Sequence, residues 1–245
     1  TRAFEVREIG HTGADALMEF KNGQIDLKHD LNISDLVLTL SDVTLDGNRK
    51  KLTLGSSGEI LVDKEGVLTL ADIKISGLQD DNLRCFDNAT SIVSKNSELV
   101  LSHNFTFSTG SFLFEDDSII SGTNQFVYSS TVGSTISSGS RLLLDHNSTF
   151  SYDPNGILKN DLISFEDETS ILHLKNCTMH VTATGLQLTK GTLLVEGTGN
   201  LTGEGINEIE GIIFGDGTAA NDLNIDISPA DNLIVSGYVV YKNVN

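Results

Sequence analysis

The stretch Ser164–Gly185, SFEDETSILHLKNCTMHVTATG, opens in a way the chain has already used twice. Cys85-Phe86-Asp87-Asn88-Ala89-Thr90-Ser91-Ile92 begins alike, and Phe114-Glu115-Asp116-Asp117-Ser118-Ile119 keeps the order of phenylalanine, acids, hydroxyl and isoleucine. A weaker copy is Phe214-Gly215-Asp216-Gly217-Thr218. Phe86, Phe114, Phe165 and Phe214 are separated by 28, 51 and 49 residues. Those gaps fit one, two and two turns of a unit roughly 25 residues long.

A second series has a small residue, then Leu-x-Leu, then a turn ending in Asn. It appears as Ser97-Glu98-Leu99-Val100-Leu101 running to Asn104, as Ser140-Arg141-Leu142-Leu143-Leu144 running to Asn147, and as Ile171-Leu172-His173-Leu174 running to Asn176. Gly66-Val67-Leu68-Thr69-Leu70-Ala71-Asp72 is a looser copy. Between residues 36 and 75 the strand signals follow one another at two to six residues, bounded by Gly, Asp, Asn and Ser. Antiparallel sandwiches space their strands at about 8–12 residues. Shorter, closer strands suit a chain that turns corners.

Together the two series predict an all-β fold, a single-chain parallel β-solenoid of about nine or ten coils of roughly 25 residues. Coils stacking at about 4.8 Å place equivalent residues in columns, aliphatic or aromatic inside and Gly, Asn or Asp at the corners. Only two prolines in 245 residues agree with this, because a ladder strand must keep its N–H. The chain divides into residues 1–23, a strand arm and a capping helix over 11–22, and residues 24–245, a solenoid ending in the uncapped strand Tyr238–Val244.

The Leu-x-Leu and Phe-acid-acid stretches, with Gly191-Thr192-Leu193-Leu194-Val195-Glu196-Gly197, resemble parallel β-helix proteins of the pectin-lyase-like and polymorphic surface-repeat kind. They look closer still to uncharacterised β-solenoid repeat proteins of amoeba-associated intracellular bacteria. The resemblance covers about residues 30–225. It implies a fold and a secreted or cell-surface setting; such scaffolds host lyases, adhesins, tailspikes and passive fibres alike.

The formal charge of −18 argues against nucleic acid, whose phosphates need a basic face. The charge is uneven. Residues 1–51 carry seven Lys/Arg against nine Asp/Glu, and residues 52–245 nine against 25. No apolar run is long enough for a spanning helix. Cys85 and Cys177 read as small buried hydrophobes, with a single disulfide as the alternative.

Catalysis on such a scaffold calls for grouped carboxylates with a basic partner. Asp80-Asp81, Asp116-Asp117 and Glu166-Asp167-Glu168 are acidic enough, yet each sits just before a strand, where a corner is expected, and Arg141 is the lone basic residue from 96 to 158. No enzyme is expected, and no cofactor beyond calcium. For calcium, the hard-oxygen candidates are Asp80, Asp81, Asp116, Asp117 and Asp216.

A solenoid end exposes a row of unpaired N–H and C=O groups that invites another strand. The expected function is therefore structural: a subunit that polymerises with itself head to tail into a fibre or surface layer. Phe4, Val6 and Ile9 of one copy would meet Tyr238, Val239, Val240 and Tyr241 of the next. The alternative is an adhesin or tailspike-like module that presents its flank to a host surface or glycan.

Overall fold

The computed structural model describes residues 3–5, 16–80, 82–145, 149–153, 160–161, 163–182 and 184–244. Every strand pairing among them is parallel, and consecutive coils advance by 20 residues where Ser91 faces Ser111 and by 34 where Thr198 faces Asn232. About nine coils stack in this way. Each coil carries three strands, so the solenoid has three faces. No helix of the described residues is long and apolar enough to cross a membrane.

The columns can be followed residue by residue. On the second face Ile25, Leu45, Leu70, Ser94, Phe114, Ile136 and Phe165 pair in succession. Leu188, Phe214 and Tyr241 carry that face onward. On the third face the column runs from Leu99 through Ile120, Leu144, Leu174 and Val195 to Ile227. The first face is aliphatic at Leu38, Ile60 and Leu83 and becomes aromatic at Phe105, Phe126 and Phe150. Because the side-chain period of a strand is two, these inward residues alternate with half-exposed ones, as where buried Leu99 and Leu101 alternate with half-buried Glu98 and Val100.

The Leu-x-Leu series does mark the third face: Glu98–Leu101, Arg141–Leu144 and Ile171–Leu174 all lie on it, two coils and then one coil apart. Their register slides, however, so that Leu99 stands in the column of Leu144 and not of Leu142. The looser copy at Val67–Ala71 belongs to the second face instead.

The Phe-acid-acid series is corrected. Phe114, Phe165 and Phe214 are buried on the second face, with Phe114 and Phe165 two turns apart as expected. Phe86 is not in their column: it is 48% exposed, under the Lys64 ammonium, and its neighbour Cys85 takes the inward place on the first face. What Cys85–Ile92 and Phe165–Leu172 share is a corner. In both, an aspartate accepts from the backbone two residues on, Ala89 N to Asp87 Oδ1 at 2.9 Å and Thr169 N to Asp167 Oδ1 at 2.8 Å. In both, a buried hydroxyl follows that bonds a backbone carbonyl, Thr90 to Asp87 O and Ser170 to Ile136 O. The motif encodes a turn, and a turn serves any face.

The capping helix is also corrected. Residues 16–22 lie in the strand Ala16–Asp26, and residues 11–15 of the expected helix fall outside the described residues. Ala16–Lys21 pairs with Leu36–Ser41 and so satisfies the facing backbone edge of that strand, which a helix in this place would leave without a partner. Asn22, expected to end a helix, has φ 56° and turns a corner within the strand. Asp42, Asn96, Asp116 and Asn176 take the same left-handed conformation at later corners, which is why short polar residues recur there.

Candidate functional site: the end coils and the acidic corners

Ala3–Glu5 pairs with Gln24–Asp26, so this segment is the first strand of the second face and not a free arm. Val239–Tyr241 pairs with Ile212–Phe214 on that same face at the far end. Phe4 thus stands in the register of Ile25, while Val6 and Ile9 lie outside the described residues. Tyr238 precedes the last strand, and Tyr241 stacks on Phe214 at 5.1 Å between ring centroids.

The last described coil keeps its inward residues partly open. Leu193, Leu201, Ile212 and Phe214 are fully buried, yet their column neighbours Ile225, Val235 and Val239 are only half-buried. Ile227 and Tyr241 are 37% and 61% exposed, although Val195 and Phe214, which they face, are buried. Leu17, at the opposite end, is 66% exposed. Ile225, Ile227, Val235, Val239 and Tyr241 continue core columns, whereas Leu17 pairs with Val37 on the outward side of its strand.

The acidic candidates are spread out. Asp80 is exposed on the turn between the third and first faces, and Asp81 lies outside the described residues. Asp116 and Asp117 occupy one corner between the second and third faces; Lys95 reaches Asp116 at 3.9 Å, and Arg141 holds Asp117 at 3.0 Å. Asp216 turns a corner between the same faces, further along. Asn221 Nδ2 donates to it at 2.8 Å and the Thr218 N–H at 2.7 Å, and these bonds hold its carboxyl below the usual range. The structure brings Asp116 and Asp117 together and does not bring Asp80 or Asp216 to them. Among the described residues no three His, Cys, Asp or Glu side chains are grouped to hold a metal.

Most cations are spent on their neighbours. Lys74–Glu98 (2.9 Å), Arg84–Glu59 (2.6 Å), Lys95–Glu115 (3.5 Å), Arg141–Asp117 (3.0 Å) and Lys175–Glu196 (2.8 Å) all bridge adjacent coils. Both cysteines are free and buried, and burial pushes the Cys85 thiol up to about 11 and the Cys177 thiol to about 12, which leaves them unreactive as nucleophiles.

Nothing in the sequence pattern singles out His173. It points outward on the third face, where Leu143 and Leu194 flank it, yet it is 5% exposed, and neither ring nitrogen has a hydrogen-bond partner. Glu196 Oε2 lies 3.5 Å from Nε2, too far for a good bond. Burial, aided by Arg141, lowers its pKa below that of free histidine, against the pull of Glu196. The folded protein therefore holds a neutral ring that the unfolded chain protonates more readily. Stability is fully present above the unfolded pKa of about 6.5 and is lost as pH falls from there toward the folded value. His173→Leu is expected to gain about 1 kcal/mol at neutral pH by removing unsatisfied polar atoms, and to flatten the loss between neutral and mildly acid pH. Urea titrations of both proteins at the two pH values check this.

No family model, curated protein or solved structure matches the chain.

Proposed function

We propose that this chain is a structural β-solenoid subunit that stacks on copies of itself, head to tail, to form a fibre or surface layer outside the cell. The observation that carries the reading is the open ladder of the last coil: Ile225, Ile227, Val235, Val239 and Tyr241 occupy core columns and remain accessible. The two end strands support it as well. Ala3–Glu5 and Val239–Tyr241 belong to the same face, and each has a pairing partner on one side only among the described residues. A neighbour's Ala3–Glu5 laid parallel on Val239–Tyr241 continues the sheet without a change of direction. Head-to-tail contact of this kind does not close on itself and yields an open filament. The secreted or cell-surface setting follows from the resemblance to surface-repeat proteins.

Negative-stain electron microscopy over a protein concentration series tests the reading. Threads with an axial repeat of roughly 40–50 Å, about nine coils at 4.8 Å each, are expected, unchanged by chelator. Tyr241→Glu is expected to raise the concentration needed for threads at least about tenfold, because it places a charge in the column to be buried. Short rods at every concentration would sink end-to-end assembly.

A second reading, a module presenting its flank to a host surface or glycan, draws on one feature. Ile206 and Ile209 stand 82% and 64% exposed on the turn that follows Thr192–Gly203, and Ile209 lines an open groove with Asn160, Gln187 and Asn207. Exposed aromatic rings, which glycan stacking favours, do not line that groove among the described residues.

A further inference from the structure

The edge between the second and third faces carries a charge pattern of its own. Lys28, Arg49, Lys50 and Lys51 lie on two consecutive corners of it: Leu27 N donates to Asp46 O, and Asn48 Nδ2 to Leu27 O, which stacks the one on the other. None of the four has an ion pair, ring or hydrogen-bonded acceptor for its side chain among the described residues. Every other described cation has one. Beyond the cross-coil pairs above, Lys21 and Lys242 sit in ion pairs, Lys64 lies over Phe86, and Lys190 donates to Glu166 O. In a chain of charge −18, where acids are plentiful, four adjacent cations without a partner among the described residues stand out.

Further along the same edge lies its complement. Glu166, Asp167 and Glu168 form the corner before Ile171–Val181, with Glu166 and Glu168 exposed. Asp167 is fixed by Ser138 Oγ at 2.6 Å and by Thr169 Oγ1, bonds that keep it ionised. The corners at Asp72, Asn96, Asp116 and Ser138 intervene, so the basic and acidic segments are five coil steps apart, about 24 Å. We propose that this edge docks a second copy of the chain, side by side and antiparallel. Arg49, Lys50 and Lys51 of each copy then face Glu166, Asp167 and Glu168 of the other.

The geometry favours a second copy over other acidic partners because one edge holds both halves of the match. A two-fold axis crossing it between the Asn96 and Asp116 corners brings both contacts into register at once, as an isologous interface requires. The shallow cleft of about 290 Å³ between Arg49, Lys74, Glu98 and Asp117 lies along the same line and leaves room for facing side chains. Exposed charge pairs are individually weak and screened by salt, so the dimer is a low-salt species.

The inference does not rest on end-to-end stacking, and its test is best run in the Tyr241→Glu protein, where threads are suppressed. Sedimentation velocity at low salt is expected to show a dimer that weakens at least about tenfold as salt rises past the point where the Debye length falls below about 8 Å. Lys50→Glu with Lys51→Glu, and separately Glu166→Lys with Glu168→Lys, are each expected to be monomeric. Their equimolar mixture is expected to dimerise again, since both contacts are then of opposite sign. A protein that stays monomeric at low salt overturns the proposal, and does so too if it binds a polyanion column, which would assign the edge to an anionic polymer. Charge-reversed variants that dimerise alone, or a mixture that does not, overturn it equally. Circular dichroism confirms folding; if a reversed pair unfolds, Lys50→Gln with Lys51→Gln gives the same readout, and undiminished dimerisation of that pair overturns the proposal.

Discussion

Phe126→Ala is expected to cost about 3–5 kcal/mol of unfolding free energy, the range for removing a buried ring. Phe126 is fully buried and stands between Phe105 and Phe150, with ring centroids at 5.2 and 5.1 Å, while Phe112 approaches edge-on at 6.1 Å. A helix could shift to fill part of the space. Here the backbones above and below are held in register by parallel pairing of Phe105–Phe107, Gln125–Tyr128 and Thr149–Tyr152, so the cavity cannot close. The loss is a large share of the roughly 5–15 kcal/mol typical of a whole domain. Because each coil contacts only its neighbours, it should also broaden the urea transition by uncoupling the coils on either side. Urea unfolding followed by circular dichroism measures both effects, and Phe126→Leu should recover most of the stability. A loss below about 1 kcal/mol, the ordinary cost of a point substitution, would mean that the aromatic ladder is not packed as described.

Gly77→Ala is expected to cost about 3 kcal/mol or more, from two independent causes. Gly77 has φ 77°, a left-handed conformation that strains an alanine by about 1–3 kcal/mol. A Cβ there would also lie 1.9 Å from the Leu54 carbonyl oxygen of the preceding coil. That atom is backbone and cannot swing aside, so the coil must move, at the further 1–3 kcal/mol or so typical of overpacking. The Gly77 carbonyl in turn accepts from Asn82 Nδ2 at 2.7 Å, so displacement would disturb the turn toward Leu83–Cys85. Gly139→Ala provides the control: its φ is 67° but a Cβ would meet nothing within 4 Å, so only the strain remains. Thermal unfolding of the two variants separates the causes, and equal losses would refute the steric one.

The two repeat series differed in how far they could be read. Leu-x-Leu found ladder strands, three on the third face and one on the second, because inward residues of such a strand must be apolar at alternate positions, and that constraint is written locally. Phe-acid-acid found corners, since an aspartate that folds back on the backbone and a small hydroxyl behind it make the same turn wherever they stand. It did not find a column, because nothing in a corner states which face it leads to. His173 gave no signal, because its burial depends on neighbours in other coils. The unmatched cations at Lys28 and Arg49–Lys51 were legible only as a milder charge in the first 51 residues. Over residues 16–22 the expected helix failed, because Ala, Leu and Met favour a helix but a neighbouring strand offers a full row of hydrogen bonds.

By itself, then, the sequence determined that the chain coils, that its strands are short and parallel, and that inward residues alternate with outward ones, since strand period and turn chemistry are properties of a few consecutive residues. Only the tertiary structure decided which strand stacks on which, that coil length varies from 20 to 34 residues, and which charges lack partners among the described residues. Those depend on pairing between residues more than twenty positions apart, where a loop can lengthen at little entropic cost and shift the register of everything that follows.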